Sequence, residues 1–493
     1  MASTFRVLFL AAALVGCGDL TESEPAPEIA VSAQPITGQD GDFTVATTVQ
    51  LNQYSTLGAN AAAGATTITV SNIANLTSAT FGALAAGDQL MVIQMRGATI
   101  STANNSTYGT VSALGGAGNY ELVQVASIAG NVITITSTDC SGLRNAYTIA
   151  GQSQVVRVPQ LRNLIVDPAG QIVPAAWNGT TGGVVALNVG GTATVNGSIT
   201  ASSFGFRGGT VDNGQSRNFL TFVSIDNRDG AAKGEGIAGD SSTYPGGGFG
   251  KGAPANAGGG GNGLGGGGGG GGANGNSGAT YTGAGVMDAT VTGGAAWTID
   301  PENGTSSGGG RGGYTNSTSN QNALTLAPGA AAWGGDLRRV NGGRGGHPLD
   351  NDPAARLFMG GGGGAGEGDG TTTGAGGNGG GVVVLIANSV TGTGVINANG
   401  GQGVATSTLD AGGGGGGGGS IVIKANALST IATNANGGVG GNNTSTVATA
   451  QGPGAGGGGG FIATSGGTIA RNVNGALGGT TLSSSLTEFP TNG

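Results

Sequence analysis

Few residues in this chain are equipped for chemistry, and the first of them is a cysteine. Leu14-Val15-Gly16-Cys17 closes a short export signal in which Arg6 is the early charge and Val7–Val15 an unbroken apolar run. That run is too short to cross a bilayer, which takes about 20 residues, and fits a signal sequence. The tetrapeptide matches the bacterial lipobox, in which small residues precede a cysteine that is acylated and becomes the mature first residue. More than one acyl chain on Cys17 would hold the protein stably on a membrane.

Carboxylates are the next candidates. Glycoside cleavage needs two carboxyls about 5–10 Å apart, and the sequence offers Asp350 with Asp352 (beside His347), Asp226 with Asp229, and Glu367 with Asp369. All lie in Gly/Asn/Pro-rich stretches, so they read first as solvated loop acids. The same oxygens suit Ca²⁺, which makes Asp350, Asp352, Glu367 and Asp369 the metal candidates. Gly366-Glu367-Gly368-Asp369 is similar to a calcium-binding glycine repeat, but stands alone and out of register. No other cofactor is expected.

Other chemistries find little material. His347 is the single histidine, which excludes a multi-histidine metal centre. Gly304-Thr305-Ser306-Ser307-Gly308 fits the nucleophile-elbow pattern without the required strand before it and helix after it. The dinucleotide-type glycine patterns are not set in a βαβ unit. Lys233 with Glu235, and Arg338, Arg339 and Arg344, read as ion pairs that pin glycine loops together, ahead of contact with a ligand or polysaccharide. Trp177, Trp297 and Trp333 read as core anchors rather than sugar-stacking platforms.

The elements that would position these residues are β. Of 493 residues 112 are glycine, and 89 of those follow residue 200. Glycine in a helix interior costs roughly 1 kcal/mol relative to alanine, so a helix-rich enzyme is excluded. Fourteen prolines and no strict three-residue repeat exclude collagen. A net charge of −8 would repel phosphate, so nucleic acid is not a partner. With Cys17 acylated, Cys140 has no partner for a disulfide.

The chain divides into a signal (1–16), a polar, acidic tether (17–42), a β-strand module (43–165), a glycine-rich domain (177–480) and a tail (481–493). Short β-branched runs at Thr66–Val70, Gln89–Met95, Tyr120–Val125, Val132–Thr136 and Gln154–Val158, parted by turn signals, predict a small antiparallel barrel or sandwich. Four later segments share one plan: a glycine run, an apolar strand, a break, then a short strand leading into Asn/Gly. They begin at Gly182, Gly380, Gly419 and Gly460, and Val383, Ile421 and Phe461 are spaced by 38 and 40 residues. Units of that period, too short to bury their own apolar faces, predict a stacked β-solenoid. Residues 205–380 form a glycine-rich excursion between the first unit and the rest. The pure runs Gly265–Gly272, Gly360–Gly364, Gly412–Gly419 and Gly456–Gly460 can be flexible loops. They can equally be extended threefold helices, rising about 3.1 Å per residue and packed side by side.

Leu90–Ala98, Tyr120–Val123, Trp177–Gly179, Gly205–Gly209, Lys233–Ile237 and Arg356–Met359 running into Gly360–Gly364 together resemble a poorly characterised class of glycine-rich bacterial surface lipoproteins. Some members are labelled gliding-motility proteins. The glycine blocks are more distantly similar to the glycine-rich domain of certain animal receptor kinases, where polyglycine helices pack together. The resemblance implies a cell-surface location and supplies no catalytic residue. The expectation is an all-β protein, anchored through Cys17 at the outer membrane or cell surface. Its role would be structural or adhesive, toward extracellular polysaccharide, surface proteins or neighbouring cells. The alternatives are a polysaccharide-acting solenoid enzyme and a surface component of gliding motility.

Overall fold

The structure is a computed structural model that describes residues 38–136, 142–211, 214, 221–262, 266–285, 306–313, 341–368, 373–446, 452–480 and 493. Cys17, Cys140, Trp297, Trp333, Arg338, Arg339 and Asp369 lie outside the described residues, as do the signal and most of the tether. Among the described residues the regular structure is β, apart from two 3-10 turns at Ile73–Leu76 and Asn227–Asp229.

The antiparallel module is a six-stranded sheet in the spatial order Gln53–Thr56, Ser153–Val158, Gln89–Gln94, Tyr120–Ala129, Val132–Thr136, Thr67–Thr69. The sheet curls until its two edge strands touch at a single bridge, Leu57 to Val70. Side chains alternate across a strand, and here both faces are buried. Leu90 and Val92 join Val123, Ile133 and Val155 inside the curl. Met91 and Ile93 point the other way, into a second core shared with Trp177, Phe206 and Phe358. Burial on both faces is why Gln89–Gln94 reads as a nearly continuous apolar run.

Two parallel sheets are built from the repeated units. The first runs Asp42–Val45, Asn163–Val166, Val184–Val195, Val382–Thr391, Ser420–Leu428, Phe461–Thr464. The second, in the same sequence order, runs Thr48–Val49, Gln171–Ile172, Ser198–Thr200, Val395–Asn397, Ala432–Asn434, Arg471–Asn472. Each unit thus contributes one strand to each sheet, and the next unit stacks on it as a rung. Between them Val185, Leu187, Ile199, Leu385, Ile396 and Ile423 form the main core. The strands at 42–49 and 160–172 belong to this stack, so the boundary drawn at residue 165 falls inside it. Val184–Val195 pairs directly with Val382–Thr391, and the excursion between them is an insertion between neighbouring rungs. The inward column Val49, Ile172, Ile199, Ile396, Thr433 ends in Arg471. An exposed charge at that position blunts the last edge against further strand pairing.

The glycine runs are ordered by their own backbones. Every N–H from Gly412 to Gly419 donates to a carbonyl at 2.6–3.1 Å, and the direction repeats every third residue. Gly412, Gly415 and Gly418 donate to Gly452, Ala455 and Gly458; Gly413, Gly416 and Gly419 donate to Val404, Gly401 and Ala398; Gly414 and Gly417 donate to Gly364 and Gly361. The same run accepts from Gly269 and Gly272, from Gly377 and Gly380, and from Gly438 and Gly441. Six extended segments therefore surround one. Gly360–Glu367 follows the same rule, donating in turn to 380–374, 273–267 and 235–232.

This spacing leaves no room for side chains. A Cβ on Gly414 would stand 2.1 Å from the Gly270 carbonyl oxygen, and one on Gly457 would stand 2.0 Å from that of Gly416. Gly414→Ala should therefore destabilise the protein by about 3 kcal/mol or more, at the upper end of overpacking costs. Gly130→Asn, at a turn where φ is +60° and a Cβ meets nothing within 4 Å, should cost well under 1 kcal/mol, since Asn tolerates that conformation. Denaturant unfolding of the two variants checks the contrast.

Candidate functional site

The acids singled out in the sequence are dispersed. Asp350 is exposed and its Oδ1 accepts from Asn276 Nδ2 at 2.8 Å. Asp352 caps its own turn, accepting from the Ala354 amide at 2.8 Å. Asp226 pairs with Arg228 at 2.7 Å, while Asp229 accepts from Ser224 Oγ at 2.8 Å. Glu367 is buried among the glycine segments, 2% exposed. Among the described residues no three His, Cys, Asp or Glu side chains gather as a metal centre would need. His347 stacks on Tyr281, ring centroids 3.8 Å apart. Burial first, and Arg344 nearby second, push its pKa down to about 4, so it is a neutral ring at physiological pH. Ser306 Oγ donates to the Ser307 carbonyl and accepts from the Thr282 amide, contacts of a loop fastener.

The densest cluster of charge joins residues that the sequence keeps far apart. Arg96 leaves the antiparallel sheet and forms ion pairs with Glu235 and, at 2.9 Å, with Asp240. Arg207 reaches the same two acids at 2.6 and 3.2 Å. Trp177 Nε1 donates to Glu235 at 2.7 Å, and its ring meets Phe206 edge-on with centroids 6.0 Å apart. Glu235 is 2% exposed and satisfied by two guanidinium groups, an indole and a backbone amide. Burial pushes the Asp240 carboxyl up, but hydrogen bonds from Ser242 and Thr243 and the Arg96 guanidinium outweigh it and hold it down at about 2. The cluster is closed on itself, so its chemistry is attachment: it bolts the antiparallel sheet to the glycine-rich insertion.

Lys233 is two residues from Glu235 and does something different. Its Nζ donates to the carbonyls of Phe222, Gly250 and Gly252 at 2.6, 2.7 and 2.6 Å. It also lies 4.7 Å from the Tyr108 ring centroid. Three acceptors use all three N–H bonds of an ammonium group. Burial by itself pushes the pKa well below the usual lysine value, and the carbonyl cage opposes that. Lys233 does fasten glycine loops, but through backbone carbonyls rather than the expected ion pair with Glu235. The cage itself left no signal, because backbone acceptors do not show in residue types.

Other buried ions are equally committed. Arg157 pairs with Asp88 at 2.9 Å and donates to the carbonyls of Gly82 and Phe81. Glu121 accepts from Tyr147 Oη and from the amides of Arg144 and Asn145.

No protein-family model matches the sequence, and no curated protein does. Among solved structures, the crystal structure of the Pseudomonas phage phi297 tailspike gp61 is similar over 33% of this chain, at 16% identity and a TM-score of 0.15. The match spans 26% of the tailspike chain, and a likeness this slight carries no argument about fold or function.

Lys233→Met keeps the length and removes the donors: the Gly252 carbonyl loses its partner, while those of Phe222 and Gly250 keep the amides of Gly252 and Gly260. The loss should be about 1–3 kcal/mol, the cost of leaving a buried acceptor without its donor. Thermal unfolding of Lys233→Met against wild type measures it.

Proposed function

We propose that this chain is a lipid-anchored cell-surface protein with a structural or adhesive role. In this reading the two parallel sheets are the walls of a β-solenoid, and the glycine runs extend its coils as packed polyglycine helices. The observation that carries the proposal is the three-residue period of the backbone bonds around Gly412–Gly419. Three residues per turn is the repeat of the extended helix that polyglycine adopts, and lateral bonding in six directions makes a rigid slab rather than a set of linkers. Such a slab offers an extended, nearly uncharged platform, in keeping with a chain in which 9% of residues are charged. The described acids support a non-catalytic role, because Asp88, Glu121 and Glu235 are taken up by arginine, tyrosine, tryptophan or backbone partners and Asp42, Asp226, Asp350 and Asp352 by arginine, asparagine or a turn amide. Anchoring rests on Leu14-Val15-Gly16-Cys17. The lipid would hold the slab at the cell envelope, where matrix, glycan and neighbouring cells are the available partners.

Intact mass and membrane fractionation of the protein from its host, beside a Cys17→Ala form, test the anchor. Wild type should carry acyl mass and sediment with membranes, and the variant should lose both. Cells expressing the anchored form should adhere to matrix or to one another more than cells lacking it. A soluble, unacylated wild type, or equal adhesion with and without the protein, would contradict the reading.

A further inference from the structure

The turn between the two parallel sheets holds a glycine in successive rungs: Gly170, Gly197 and Gly394. A Cβ on Gly197 would stand 2.2 Å from the Gly170 carbonyl oxygen, and one on Gly394 would stand 2.0 Å from that of Gly197. The rungs therefore seat on bare backbone here, and the stacked glycines form the floor of an open groove of about 560 Å³. That volume falls within the range of small-ligand sites, about 300–1,000 Å³. One wall is the turn residues Asn196 and Thr393; the other is Thr48, Gln171 and Ser198. The residues of this second wall share one register column, continued by Val395 and Ala432. The groove thus runs along the stacking axis, across five rungs, at the strand spacing of about 4.8 Å.

Its chemistry is narrow. None of the lining residues is ionisable, so an acidic or basic ligand would find no counter-charge. Hydroxyl and amide groups alternate with the apolar surface of Pro168, Ala169, Val395 and Ala432, so a wholly apolar occupant would leave the polar groups unpaired. Backbone groups at the groove are already used: Ser198 N donates to Gly170 O, Val395 N to Gly197 O and Gly394 N to Val195 O. An extended peptide could not add as a strand without free backbone donors. Beside the groove, on the same outward face, runs an amide ladder. Asn434 Nδ2 donates to Asn397 Oδ1 at 2.8 Å, and Asn472 Nδ2 donates to Asn434 Oδ1 at 2.7 Å. A carboxamide carries two N–H donors and two acceptor lone pairs, so each rung of the ladder retains capacity toward solvent.

We propose that this groove and its amide ladder bind a neutral, linear polysaccharide lying along the stacking axis, its hydroxyls bonded to Gln171, Ser198 and the asparagine column. The inference rests on the surface-adhesive reading and names the ligand class for it.

The test uses the full-length acylated protein in detergent, run through gels containing a neutral β-glucan, a neutral mannan or, as the acid-bearing control, alginate. Retardation by a neutral polymer and not by alginate is expected. The double variant Gln171→Ala/Ser198→Ala should lose affinity about tenfold, two hydrogen bonds' worth, with an unchanged melting temperature. Thr393→Glu, on an exposed turn, should lose binding similarly and guards against a folding defect in the double variant. No retardation by either neutral polymer, stronger retardation by alginate, or wild-type retardation of both folded variants would overturn the proposal. Adhesion of expressing cells, measured in parallel, separates the two readings. Adhesion that persists without groove-dependent binding sinks the groove alone, whereas no difference in adhesion sinks the surface role.

Discussion

Backbones in this molecule approach one another more closely than any side chain would allow, and most of the structure follows from that approach. Glycine loses the most conformational freedom on ordering, about 1–2 kcal/mol of backbone entropy per residue. A run such as Gly412–Gly419 stays ordered because each of its amides donates to a neighbouring segment, in surroundings where water does not compete. The apolar strands hold the ends of these segments. Ser420–Leu428 follows one run and Phe461–Thr464 another, and both are fixed in register by the parallel sheet. Hydrophobic stacking thus sets the spacing at which glycine segments can bond, and the bonding extends the stack sideways.

Charge is used sparingly and at seams. Arg96, Arg207, Glu235 and Asp240 meet where the antiparallel sheet touches the insertion. Lys233 secures three carbonyls of the same insertion. A buried ion pair adds little net stability, but losing one partner is costly. Such groups therefore fix which loop lies where more than they strengthen the whole. That division of labour leaves the outer face of the shorter sheet to neutral amides and hydroxyls.

Much of the strand framework was legible from residue types. The β-branched runs at Gln89, Val132 and Gln154 became strands with nearly the expected bounds, the run at Tyr120 became a strand that continues to Ala129, and the units starting at Val184, Val382, Ser420 and Phe461 pair in sequence order. Period and alternation reveal such elements because side chains enforce them. The arrangement of the glycine runs was not legible, since residues without side chains carry no pattern to say which carbonyl each amide will meet. Nor could spacing show that Arg96 meets Glu235, 139 residues away. Among the candidate acids, Asp352 caps its own turn and Asp350 accepts from Asn276, 74 residues away. The groove at Gly170, Gly197 and Gly394 had no signature in one dimension, because it exists only once the rungs are stacked.

The central claim is that the glycine runs are a bonded lattice, and amide hydrogen exchange addresses it directly. Gly412–Gly419 and Gly360–Gly364 should exchange as slowly as the neighbouring strand Ser420–Leu428, opening only with the fold. Exchange of these glycines at the rate of an unstructured chain, while the strand stays protected, would contradict the account.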